Sequence, residues 1–162
     1  MYICPSYRGK TVEYSNMFPD IVLIDWQLRL LSFLTDAGHS VLTKQHPESE
    51  IRMPKYFFDT IGATDIVGNF ENVYKQADII LTDYPSSTTF GQALKTSKPV
   101  IFIDFGFHKL PTKERNMLKK RCFIINGHQC DNNQIKIDWN DLLLGIETSF
   151  LLKGEEYVKN VL

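Results

Sequence analysis

The chain is predicted to be an α/β protein, an open and mainly parallel sheet covered by helices on both faces, and two observations predict it. Through the second half, short apolar runs alternate with segments of helical period: strand at 79–82, helix at 87–96, strand at 99–103, helix at 111–119, strand at 122–125 and helix at 139–150. The links between them are short, and parallel strands joined by helical crossovers are what such alternation calls for. The 162 residues suffice for one such domain with a real core, and a second full domain is not expected.

The first half supplies the rest of the sheet. Met1 to Cys4 is an apolar start stopped by Pro5, and a chain that enters a strand at its first residue is expected to have been preceded by further chain. From Asp20 onward Leu23, Trp26, Leu30, Phe33, Leu34 and Ala37 recur at three- and four-residue steps, and Gly38 closes the run as a helix with one face on a core. Ser40 to Lys44 reads as a brief strand. It ends in Lys44-Gln45-His46-Pro47, where the proline imposes extended or turn geometry on its neighbour. Residues 48–65 are mixed in pattern and receive no assignment. Ile66-Val67 is predicted as a short strand and Glu71 to Gln76 as a helical turn or two. Leu151 to Leu162 is predicted as a last helix, with Leu152, Tyr157, Val158, Val161 and Leu162 packing on the sheet or on a neighbour.

Charge narrows the function classes. Lysine and arginine number 18 against 19 acids, with no basic block, so general nucleic-acid or membrane-surface binding is not expected and any anion must be met by a local site. Cys4, Cys122 and Cys130 are odd in number and irregularly spaced, which predicts reduced thiols in a cytoplasmic protein. No apolar run is long enough to span a bilayer, and the first residues lack the pattern of a signal peptide.

The most informative stretch is Asp78-Ile-Ile-Leu-Thr-Asp-Tyr-Pro-Ser-Ser-Thr-Thr-Phe90, where a buried strand breaks into a hydroxyl-rich turn that opens a helix. Ser86, Ser87, Thr88 and Thr89 fall where a helix leaves its first N–H groups unpaired and carries roughly half a positive charge, a combination that suits a phosphate. An ordinary N-cap at a strand-to-helix turn has the same composition. Arg8, in the loop Pro5-Ser6-Tyr7-Arg8-Gly9, would suit bidentate phosphate contact, or be a solvated surface arginine. His46 could donate to a phosphate or sugar oxygen, take part in proton transfer, or be structural. Asp83 could orient the turn's amides, cap locally, or touch a ligand. Arg8, His46 and Ser86 to Thr89 all follow predicted strands, and ligands of open α/β sheets sit beyond the carboxyl ends of the strands, so three segments are expected on one rim.

Other chemistries fit less well. Cys122, His128 and Cys130 are spaced Cys-x5-His-x-Cys with no fourth ligand, so no metal is expected. Ser86 or Ser87 as a hydrolase nucleophile lacks the Gly-x-Ser-x-Gly turn, and neither a Gly-rich dinucleotide fingerprint nor a Walker loop is present.

Pro-Ser-Tyr-Arg at 5–8, Lys-Gln-His-Pro at 44–47, Ala-Asp-Ile-Ile-Leu-Thr-Asp-Tyr-Pro-Ser-Ser-Thr-Thr-Phe at 77–90 and Lys-Pro-Val-Ile-Phe at 98–102 occur in that order. The set resembles the C-terminal, donor-binding half of glycosyltransferases of the GT-B fold, and within them the CDP-glycerol glycerophosphotransferase and surface-polysaccharide branch. The likeness spans about residues 1–150, and the 77–102 block carries most of its specificity. It implies a Rossmann-like three-layer α/β/α domain that holds a nucleoside-diphosphate-activated sugar or glycerol donor. Carried over, Ser86, Ser87 and Thr88 would meet the diphosphate, Arg8 and His46 would add charge and hydrogen bonds to phosphate, Asp83 would shape the turn and Gln92 would face the ribose. His46 is the candidate catalytic residue. No further cofactor is implied, because helix amides, hydroxyls and a cation can stabilise a departing diphosphate.

Two departures stand out. Many such domains have Glu-Ala where this chain has Gln92-Ala93, and a neutral amide is a weaker acceptor for ribose hydroxyls than a carboxylate. The glycerophosphotransferase pattern has Asp-Tyr-Ser-Ser and then Phe-Asp, against Asp-Tyr-Pro-Ser-Ser and Phe90-Gly91 here, so a sugar donor fits as well as glycerol phosphate. The resemblance also implies an acceptor half, as a missing domain or partner subunit, that could hold the complex at the inner membrane face. A two-domain nucleotide-sugar epimerase, or a nucleotide-binding module without catalysis, shares the same scaffold.

Overall fold

The computed structural model describes the chain except for residues 8, 10–17, 48, 50 and 108. Among the described residues six strands form one parallel sheet: β1 (Tyr2–Ile3), β2 (Val41–Lys44), β3 (Ala63–Asp65), β4 (Ile80–Thr82), β5 (Val100–Asp104) and β6 (Phe123–Asn126). Their spatial order is β3-β2-β1-β4-β5-β6. The chain moves outward from β1 to β3, then crosses back to start β4 on the other side of β1. That reversal makes β1–β4 the switch point of a Rossmann-like fold.

Alternation along the strands divides the core. Tyr2, Leu81, Ile101, Ile103 and Ile125 face one side, covered by α1 (Asp20–Asp36) and α6 (Trp139–Thr148). Ile3, Ile80, Val100 and Phe102 face the other, covered by α4 (Thr88–Lys95) and α5 (Thr112–Lys119). Every residue of β5 is buried, as expected where helices cover both faces of a parallel sheet. On the α1 side the packing is aromatic: Trp26 stacks on Trp139 with ring centroids 5.9 Å apart, and Phe33 on Trp139 at 4.6 Å.

The predicted fold class and its strands and helices are present, with ends shifted by a residue or two. Gly38, at φ +85°, closes α1 in the left-handed conformation that glycine adopts without strain. Two local expectations are corrected, the third strand and the last helix, and two segments receive their bounds. The third strand is Ala63–Asp65 and not Ile66-Val67: Ile66 donates its N–H to Thr43 O at 2.8 Å just as the pairing ends, and Val67 is exposed. Residues 48–65 contain α2 (Lys55–Thr60), whose single buried side chain, Phe58, is too little periodicity to read. The helical segment at 71–76 is α3 (Phe70–Val73) followed by a 3-10 turn. The last segment is helical only as α7 (Glu156–Val161), after a 3-10 turn at Ser149–Leu151. A small antiparallel hairpin, β7 (His128–Gln129) with β8 (Ile135–Lys136), had no sequence signal above its loop composition. Among the described residues no helix is long and apolar enough to cross a membrane.

Candidate functional site at the carboxyl rim

The register brings three of the expected segments to one height. Ile3 pairs with Lys44 on one side and with Thr82 on the other, so β2, β1 and β4 end level. Adjacent strands lie about 4.8 Å apart, which puts the ends of β2 and β4 about 10 Å from each other across β1. A nucleotide diphosphate spans that order of distance.

The loop after β1 is anchored from below. Tyr7 is buried and its hydroxyl donates to Gln27 Oε1 on α1, while its backbone N–H donates to Ser49 Oγ at 3.0 Å, tying this loop to the one after β2. Arg8, the next residue, lies outside the described residues. Beyond β2, His46 is half-buried, and its carbonyl accepts from Ser49 N at 3.2 Å.

The turn after β4 shows both readings of its hydroxyls at once. Ser87 is the N-cap of α4: its Oγ accepts from Phe90 N at 3.1 Å and donates to Tyr84 O at 3.2 Å. That cap sets the direction in which the helix opens. Ser86 and Thr88 are exposed on the rim, and the N–H groups of the first helical turn point out of the helix beside them. The Ser87 hydroxyl is therefore a positioning group that takes Phe90 N, and the exposed residues beside it on the rim are Ser86 and Thr88.

Asp83 lies beneath the turn and does not cap it. It is 2 % exposed, and its Oδ2 accepts from Tyr2 Oη at 2.6 Å and Trp26 Nε1 at 2.9 Å. Burial raises its pKa to about 6, against the pull of those two hydrogen bonds. Burial likewise pushes the Tyr2, Cys4 and Tyr7 side chains above their ordinary values, so the floor of the crevice is a cluster of protonated groups around one carboxyl. Asp83 Oδ1 is buried without a hydrogen-bond partner among the described residues.

Gln92, on the exposed flank of α4, donates its amide N–H to Glu71 Oε1 of α3. Sequence reasoning left that flank without a carboxylate, and the fold brings one from 21 residues away. Lys44, the last residue of β2, and Arg52, ahead of α2, line one cleft that no sequence motif marks. The far side of the rim is closed by its own ion pair: Asp104 binds Arg115, which also donates to Asn126 Oδ1 at 3.0 Å. Cys122 is buried and His128 exposed on the hairpin, and among the described residues no three His, Cys, Asp or Glu side chains converge as a metal site would need. No family model, curated protein or solved structure is a match to this chain.

Proposed function

We propose that this chain is a donor-binding domain of a glycosyl- or glycerophosphotransferase, working in cell-surface polysaccharide synthesis and holding a nucleoside-diphosphate-activated donor in the β1–β4 crevice. One observation carries the reading: the Ser86–Thr88 turn opens α4 onto the switch point of the sheet, level with the loops after β1 and β2. The departing diphosphate would be stabilised by first-turn amides and the hydroxyls of Ser86 and Thr88, with His46 across the crevice donating to an oxygen or moving a proton. Glu71, oriented by Gln92, would accept from the ribose hydroxyls in place of the carboxylate that α4 lacks. The acceptor, and the groups that activate it, would come from a second domain or subunit.

The test is a thermal-shift screen against CDP-glycerol, UDP-, GDP- and CMP-sugars and the free nucleotides. A ligand present at a hundred times its dissociation constant adds about 2.7 kcal/mol, enough to raise Tm by about 5 °C or more in a domain of this size. Thr88→Ala and His46→Ala are expected to reduce that shift while leaving the unliganded Tm within a degree or two. Ser87→Ala is expected to lower both, by about 1 kcal/mol in the free protein because the cap is lost. Glu71→Ala should weaken nucleotides and leave inorganic diphosphate unaffected. If no nucleotide raises the melting temperature, the donor reading is abandoned.

A further inference from the structure

A second site lies off the β1–β4 crevice, at the carboxyl ends of β2 and β3. A cleft of 170 Å³ opens there, with Lys44, Gln45, Arg52, Asp65 and the backbone at Gly68 in its wall. Its construction is specific. The Gln45 side chain, on a residue only 8 % exposed, pairs with the Met53 backbone at both ends: Nε2 donates to Met53 O at 3.0 Å, and Oε1 accepts from Met53 N at 2.8 Å. This clamp fixes the residue next to Arg52, so an exposed arginine is carried to the cleft on a pinned backbone.

Among the described lining residues the charge is unbalanced in one direction. Asp65 is the one carboxylate among the described lining residues, and both its oxygens are engaged, Oδ2 by Gln45 Nε2 at 2.9 Å and Oδ1 by Thr43 Oγ1 at 3.4 Å. Facing it are two cations. Lys44 is 8 % exposed, and the hydrogen bond recorded for its ammonium is a long one, 3.4 Å to Gln45 O. Glu71, close enough for Lys44 to feel its field, is held by Gln92 and does not line the cleft. Burial, the largest effect, and the neighbouring Arg52 act to discharge Lys44 while Asp65 acts to keep it charged, and an anion between Lys44 and Arg52 would add to the effect of Asp65.

We propose that this cleft is a phosphate-binding site, with Lys44 as the buried cation and Arg52 as the forked donor, occupied by inorganic phosphate or by the phosphate of a larger molecule. The assignment does not depend on the donor reading, because its residues are Lys44 and Gln45 at the end of β2, Asp65 at the end of β3, and Arg52 beside the Met53 backbone that Gln45 holds.

The test is titration of the full chain with inorganic phosphate and with methyl phosphate, followed by 31P line width at constant ionic strength. Saturable binding is expected, weakened about tenfold by Arg52→Gln and also by Lys44→Met, and unchanged by Ser87→Ala. Arg52 is exposed, so its variant folds even if Lys44→Met does not. Repeating the titration with CDP present separates the sources: displacement of phosphate means that the nucleotide's own phosphate uses the cleft, and simultaneous binding means that a separate molecule does. Phosphate binding that Arg52→Gln leaves intact, or no saturable binding at all, overturns the proposal.

Discussion

Replacing Arg121 by methionine is expected to destabilise the domain by about 3 kcal/mol or more, although the side chain makes no ion pair among the described residues. The guanidinium is 6 % exposed and serves four carbonyls at the end of α4 and the turn that follows. Its Nε donates to Leu94 O at 2.8 Å, and Nη2 lies 3.3 Å from Ala93 O, 2.7 Å from Thr96 O and 3.0 Å from Lys98 O. Ala93 O is also served by Thr96 N and Oγ1, but Leu94 O at the helix end and Thr96 O and Lys98 O in the turn depend on the guanidinium, and each acceptor stranded in a buried place costs about 1–3 kcal/mol. Methionine fills the volume and restores none of the donors. Lysine should recover only part, because one ammonium cannot reproduce the fixed fork of a guanidinium. Urea unfolding measures the loss, and amide exchange locates it. Protection should fall first at residues 90–95, the helix whose other end carries the Ser87 cap. A loss below 1 kcal/mol would show that these carbonyls find water instead.

The second large effect is a pH dependence that resides in one buried carboxyl. Asp83 titrates at about 6 in the folded protein against 3.8 for the free side chain, because burial outweighs the hydrogen bonds from Tyr2 and Trp26. The native state therefore holds a proton that the unfolded chain has released. The stability tied to that proton is fully present below about 3.8 and is lost as pH rises through about 6. A difference of that size corresponds to about 3 kcal/mol. Asp83→Asn keeps a carbonyl oxygen for Trp26 and Tyr2 and cannot ionise. Measured by urea unfolding at pH 4 and pH 7.5, the variant should gain about 2–3 kcal/mol on the parent between the two values. A constant difference at both would mean that Asp83 is ionised throughout. An ionised carboxylate at neutral pH under the β1–β4 crevice is a cost to folding, which makes this position informative for ligand binding as well: in the screen, Asp83→Asn should change nucleotide affinity more at pH 7.5 than at pH 5.

Much of this protein was legible in the chain because the signals are local. Trp26, Leu30 and Leu34 repeat at helical spacing, residues 99–103 are an apolar run of strand length, and Pro85-Ser86-Ser87 announces the start of a helix. Each rests on backbone geometry within a few residues, and each survives in the fold with its ends moved by one or two positions. The parallel sheet followed from the alternation of those elements. The weak segments failed for the same reason: Ile66-Val67 is apolar but has no strand partner beyond Thr43, and α2 presents a single buried ring.

What only the tertiary structure decided is which side chains meet. Asp83 reads from the sequence as a residue of the turn, yet the pleat of β4 turns it to the α1 face, where Tyr2 and Trp26 reach it from 81 and 57 residues away. Gln92 gains a carboxylate partner from α3, and Lys44 and Arg52 line one cleft, where Gln45 holds the backbone of Met53 beside Arg52. Strand order places the hydroxyl turn at the switch point, and no local pattern encodes that order. Sequence by itself determined the elements and their succession, since propensity, capping and periodicity act over one or two turns. The site depended on register and topology, which are set by the burial of two apolar faces against one sheet and so belong to the whole chain.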